Sequence, residues 1–131
     1  MNKIVFVANI LVLSTTLNLF ADKKFTKEEF QSAEFLSKIA SNMNKTMPQF
    51  VDEHTRIDNI QGFKKTLRFN YTFVSYKKGT LKNEQNELLK SSFPLVKNSV
   101  CTTPRYLMFP ANGIDLVYVY SDYQGSYIGE F

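Results

Sequence analysis

One stretch, Ile114–Phe131 (IDLVYVYSDYQGSYIGEF), limits the possible folds of this chain more than any other. Ile114, Leu116, Tyr118 and Tyr120 alternate with Asp115, Val117, Val119 and Ser121, which is the two-residue period of a strand. Asp122-Tyr123-Gln124-Gly125 then has the chemistry of a type I turn, with Asp able to cap it and Gly able to take positive φ. A second strand runs on to Phe131. A two-stranded ribbon is barely stable alone in water, so the rest of the chain has to cover it.

Two further strands and three helical segments supply that cover. Thr66–Tyr76 places Leu67, Phe69, Tyr71 and Phe73 on one face and Thr66, Arg68, Asn70 and Thr72 on the other. Thr55–Gln61 reads as a shorter strand carrying Ile57 and Ile60, with a connecting turn before it. Phe25–Met47 reads as the main helix. Thr26 and Glu29 form its capping box, Phe35, Leu36, Ile39, Ala40 and Met43 its buried stripe, and Pro48 its end. Thr80–Asn98 reads as a second helix capped by Thr80 and broken near Ser92-Phe93 by Pro94. Arg105–Phe109 reads as a third, capped by Thr103 and stopped by Pro110, before Asn112-Gly113 turns into the hairpin. The expected fold is α+β: an N-terminal helix on a four-stranded antiparallel sheet, with helical segments inserted between the two strand pairs.

The N-terminus bears on location. Met1-Asn2-Lys3 is a short positive region, Ile4–Phe20 is largely apolar, and Ala21 supplies a small residue at a cleavage point before Asp22-Lys23-Lys24. That is the layout of a secretory signal peptide. The competing reading is an uncleaved anchor, but the run is about 17 residues and interrupted by Asn9, Ser14, Thr15, Thr16 and Asn18, short and polar against the about 20 apolar residues of a span. Residues 1–21 are therefore read as a signal peptide and 22–131 as one domain. The expected location is periplasmic or secreted, with no stable membrane insertion after cleavage. Cys101 is the only cysteine, so no internal disulfide can form, and a position between Val100 and Thr102 predicts a buried thiol.

Chemistry is sparse. The net charge of +4 comes from scattered lysines, without the basic helix or aromatic-basic motif of a nucleic-acid binder. His54, the only histidine, stands between Asp52 and Asp58. A base or ligand role there competes with a charged turn entering a strand, in which Arg56 and Asp58 are same-face neighbours; the second reading is preferred. A Cys101–His54 nucleophile pair is the one catalytic dyad that the composition allows, and nothing near Cys101 supports it. There is no phosphate loop, dinucleotide fingerprint, paired-cysteine motif or calcium loop. The reading assigns no catalytic residue, no metal and no cofactor.

The tyrosines are the more informative group. Tyr118 and Tyr120 read as core residues, whereas Tyr123 at the turn tip is hard to bury; Tyr123, Tyr127 and Phe131 are the candidate binding residues. The tail VCTTPRYLMFPANGIDLVYVYSDYQGSYIGEF resembles small exported bacterial proteins that end in a Cys–Pro segment followed by a Tyr-rich D-x-x-G hairpin. The whole resembles cystatin-like or NTF2-like domains, and that resemblance implies a helix lying across a curved antiparallel sheet and names no activity. The expected function is non-catalytic binding of another protein, as an inhibitor, immunity or envelope-assembly accessory protein, with a terminal strand at a sheet edge able to recruit a partner strand. The alternative is a small-ligand or minor enzymatic domain with a pocket between helix and sheet.

Overall fold

A computed structural model describes residues 24–79 and 84–131. The signal-peptide segment and the Thr80 cap lie outside the described residues. The chain runs α1 (Lys27–Phe30), α2 (Ala33–Asn44), β1 (Gln49–Phe50), β2 (Thr55–Phe63), β3 (Thr66–Phe73), α3 (Glu84–Thr102), α4 (Pro104–Ala111), β4 (Asp115–Asp122) and β5 (Tyr127–Glu130). The five strands form one sheet in the order β1-β2-β3-β4-β5.

The first helical stretch does not run unbroken. The capping box at Thr26 forms as expected, with Glu29 N–H donating to the Thr26 hydroxyl and Thr26 N–H to the Glu29 carboxylate. The helix then stops after Phe30, and Ser32 starts α2 by accepting the Phe35 N–H at 3.1 Å. Gln31 has other bonds to make at this break. Its carbonyl accepts the Lys65 N–H at 2.8 Å and its side chain donates to the Asn112 carbonyl at 2.6 Å, which ties the β2–β3 turn and the end of α4 together.

The sheet is mixed, which corrects the all-antiparallel expectation. β2 and β3 form a hairpin, as do β4 and β5, but β3 and β4 pair in parallel from Thr66↔Asp115 to Phe73↔Asp122. The reason is the crossover. A break at Pro94 would have shortened the connection. Instead α3 stays continuous through Pro94 and carries the chain back to the end of the sheet where β3 began. Strands joined by such a crossover run in the same direction. The segment before β2, expected as a turn, contributes a two-residue edge strand, with Gln49 paired to Ile57. Pro110 likewise lies inside α4, and Thr103 makes no side-chain cap there.

Register places Ile57, Ile60, Gly62, Leu67, Phe69 and Tyr71 on one face, continuing into Leu116, Tyr118 and Tyr120. Helices α2, α3 and α4 cover this face. The five stripe residues of α2, Phe35, Leu36, Ile39, Ala40 and Met43, are buried in the core, each contributing about 2 kcal/mol of transfer free energy for the larger ones. α2 approaches β2 so closely that a Cβ at Gly62 would overlap the Leu36 carbonyl. Side chains then lock the pair: Ser37 donates to the Gly62 carbonyl, and Asn44 both donates to and accepts from the Ile60 backbone. The other face carries Arg56 bonded to Asp58, Asp58 bonded to Thr72, and an Asn59–Asn70–Gln61 amide cluster. Among the described residues no helix is long and apolar enough to cross a membrane.

Candidate functional site

Tyr118 and Tyr120 are core residues, as their alternation predicts. Phe69 stacks on Tyr118 at 5.0 Å between ring centroids, Tyr71 on Tyr120 at 5.1 Å, and Phe73 on Tyr120 at 4.9 Å. These are cross-strand neighbours set by the parallel register, and Phe131 extends the row by stacking on Tyr118 at 5.9 Å. Burial first, then the neighbouring phenols, holds Tyr71 and Tyr118 well above the usual phenol range. Burial does the same to Tyr106 and, against an opposing hydrogen bond with Ser92, to Tyr120.

This aromatic floor is incompletely roofed. An open cleft of about 250 Å³ lies between α3, the end of α4 and the start of β4. Phe93, Val96, Lys97, Val100 and Cys101 line it from α3. Pro110, Ile114, Asp115 and Leu116 face them, with Tyr118 and Phe131 below. The α3 wall has the i, i+3, i+4, i+7, i+8 spacing of a helix stripe that elsewhere would be core. Here Phe93 remains 45% exposed, and Ser99 is the one buried residue among the described side chains of α3. Two smaller cavities, of about 60 and 20 Å³, lie under the same helix, and Val96 lines all three spaces. Cys101 is exposed on this wall, contrary to the expected burial, because none of the described residues seals the side of α3 that it occupies.

The candidate binding residues divide. Phe131 belongs to the cleft, in edge contact with Phe93 at 5.1 Å. Tyr123 and Tyr127 stand 53% and 50% exposed at the hairpin tip, away from the cleft lining. Asp122 makes that tip rigid. Its buried carboxylate accepts the N–H groups of Lys78, Gln124 and Ser126 at 2.8–2.9 Å, and Gly125 takes φ 83° as the turn requires. The Lys78 N–H bond is the main reason that this carboxyl sits below the usual carboxylate range, opposed by burial and helped by Ser126 and Gln124. At the sheet edge β5 is only four residues long, and the Lys78 ammonium donates to its Tyr127 carbonyl at 3.1 Å.

His54 lies exposed on the bend before β2, its Nδ1 3.1 Å from the Ser75 hydroxyl, and it does not line the cleft that holds Cys101. Among the described residues, no three His, Cys, Asp or Glu side chains gather to hold a metal ion. Pro94 hides the α3 wall in the sequence, because proline predicts a break where the helix in fact continues. Carrying the helix through Pro94 would have revealed the stripe.

No protein-family model matches the chain, and no curated protein matches it significantly. Two solved structures share its fold. A crystal structure of a Pseudomonas aeruginosa protein, provisionally described as secreted, is 16% identical with a TM-score of 0.62, over 82% of this chain and 92% of that one. The pilotin of the Vibrio vulnificus type 2 secretion system is 15% identical with a TM-score of 0.61, over 80% of this chain and 88% of that one. At such identities the likeness establishes the α+β fold alone.

Proposed function

We propose that this is a small exported, non-catalytic accessory protein of the cell envelope, which holds an apolar helical segment of another exported protein in the cleft beside α3. The cleft carries the reading. Its α3 wall extends from Phe93 to Cys101, about 12 Å or two helical turns. Two turns match the spacing of the apolar anchors that an amphipathic helix lays into a groove. A volume of about 250 Å³ falls below the roughly 300–1,000 Å³ of small-molecule pockets and suits a few inserted side chains, which favours this reading over the small-ligand alternative.

Strand addition at the β5 edge is the weaker route. The edge is short, and an edge lysine is a common means of blocking such pairing. His54 lies outside the lining of the cleft that holds Cys101, which leaves the Cys101–His54 pair apart and supports binding over catalysis. The pilotin neighbour belongs to a secretion system, which supports an accessory role over an inhibitor or immunity role. The apolar N-terminal run supports export, with Asp22 as the first residue of the mature chain. Tyr123 and Tyr127 are proposed as a second, smaller contact surface.

Site-specific photocrosslinking in cells tests this. A crosslinker at Val100 in the cleft should yield a discrete adduct with another envelope protein, while one at Ser41 on exposed α2 should not. Equal labelling at the two sites, or none at Val100, would contradict it.

A further inference from the structure

We infer that Val96 sets the depth of the cleft, and with it the size of the partner's central anchor, which is aliphatic and not aromatic; this rests on the helix-docking reading above. Val96 stands near the middle of the α3 wall, between Phe93 and Cys101, and it borders the cleft and both smaller cavities. Tyr118 also borders both the cleft and the cavity of about 20 Å³, and Tyr71 borders both inner cavities. The three spaces are therefore neighbours under one helix, and the Val96 side chain is the partition common to all of them.

Neither side of the cleft gives way at this point. Tyr118, only 6% exposed, stacks on Phe69 at 5.0 Å with the rings 8° from parallel, and Tyr71 and Phe131 flank it at 6.0 and 5.9 Å. Val96 is β-branched, and in a helix such a side chain has one strongly preferred rotamer, so it does not swing aside. Behind it Ser99, Tyr106 and Tyr71 help to close the cavity of about 20 Å³, which has room for about one water molecule and not for a ring. Lifting α3 instead would break its contacts with the end of the sheet, Phe93 on Phe131 and Leu89 on Gly129. An aliphatic anchor packs against the Val96 methyl groups, whereas an aromatic one needs the space behind them. Anchors that carry most of the binding energy cluster near the centre of an interface. The partner segment is therefore an amphipathic helix with Leu, Ile, Val or Met at the position facing Val96.

Cys101 lines the same cleft and reports its occupancy. The probes are stapled amphipathic helices with leucine at the inward positions, differing only at the middle one, which is leucine in one peptide and tryptophan in the other. The concentration of each that halves the rate of Cys101 alkylation is measured on the purified exported protein. The leucine peptide should bind about tenfold more tightly. Val96→Ala joins the cleft to the cavity behind it and should cancel or reverse that ratio, whereas Val96→Ile should widen it. Val100 borders the cleft but neither inner cavity, so Val100→Ala should weaken both peptides alike and leave the ratio unchanged. Circular dichroism confirms the fold of each variant. Equal affinities for the unmodified protein, or a ratio that moves as far with Val100→Ala as with Val96→Ala, would overturn the inference and leave helix docking standing. Failure of both peptides to shield Cys101 would overturn both.

Discussion

Helices α2 and α3 cover opposite ends of the same sheet face, and each meets a glycine. At Gly62 the neighbour is the Leu36 backbone, which cannot move without shifting the whole of α2. At Gly129 it is the Leu89 methyl group, the end of a side chain that can rotate. α2 is shorter, yet it buries its entire stripe and is hydrogen-bonded to the β2 backbone at Ile60 and Gly62. α3 is longer, leaves Phe93 and Leu95 exposed, and spans three cavities. Chain length alone therefore does not seat a helix. What seats it is close approach with backbone bonds, and where these are missing the structure retains apolar surface that another chain can cover.

The widest break in this comparison should come from alkali. The phenols of Tyr71, Tyr118, Tyr106 and Tyr120 are raised by burial, so folding favours their protonated forms. Their contribution is intact below the unfolded phenol pKa of about 10 and is lost as pH rises beyond it. Denaturant midpoints measured upward from pH 9 should hold steady and then fall steeply, together with a late rise in phenolate absorbance. Leu36→Ala comes next, at about 3 kcal/mol of lost stability by urea unfolding, because the well-seated helix has no slack to close the void. Gly129→Ala should cost about 1 kcal/mol, since Leu89 can turn aside. Val100→Ala, on the cleft wall, should change stability by only about 0.5 kcal/mol while reducing partner capture several-fold. The smallest effect concerns acid. The depressed Asp122 carboxyl stabilises the hairpin fully above its ordinary pKa of 3.8, and this is lost as pH falls below that, so exchange of the Gln124 and Ser126 amides should quicken there first.

The same two helices explain what was legible in the sequence. The α2 stripe, the Thr26–Glu29 box, the β3 alternation and the Asp122–Gly125 turn are local patterns, and each stands where its residues predicted. The break at Gln31 was not legible, because its causes, Lys65 and Asn112, are distant in the sequence. The parallel β3–β4 pair was hidden by Pro94. Proline disfavours a helix interior by removing one bond, but the remaining turns can outweigh it, and serine hydroxyls at 91 and 92 bond the Leu88 carbonyl just before it. Of the candidate binding residues Tyr123, Tyr127 and Phe131, Phe131 alone falls in the cleft. The neighbours of Cys101 predict burial and the thiol is exposed, since sequence context cannot distinguish a sealed helix face from an open one.

In the proposed role the α3 side of the sheet is open in the isolated protein and covered by a partner in the cell. Cys101 measures this without any substitution, by alkylation in intact cells and in purified protein under the same reagent and pH. Rapid modification of the purified protein and strong protection in cells are expected, with protection lost in a Val100→Glu variant that still folds. Equal reactivity in the two settings would contradict it.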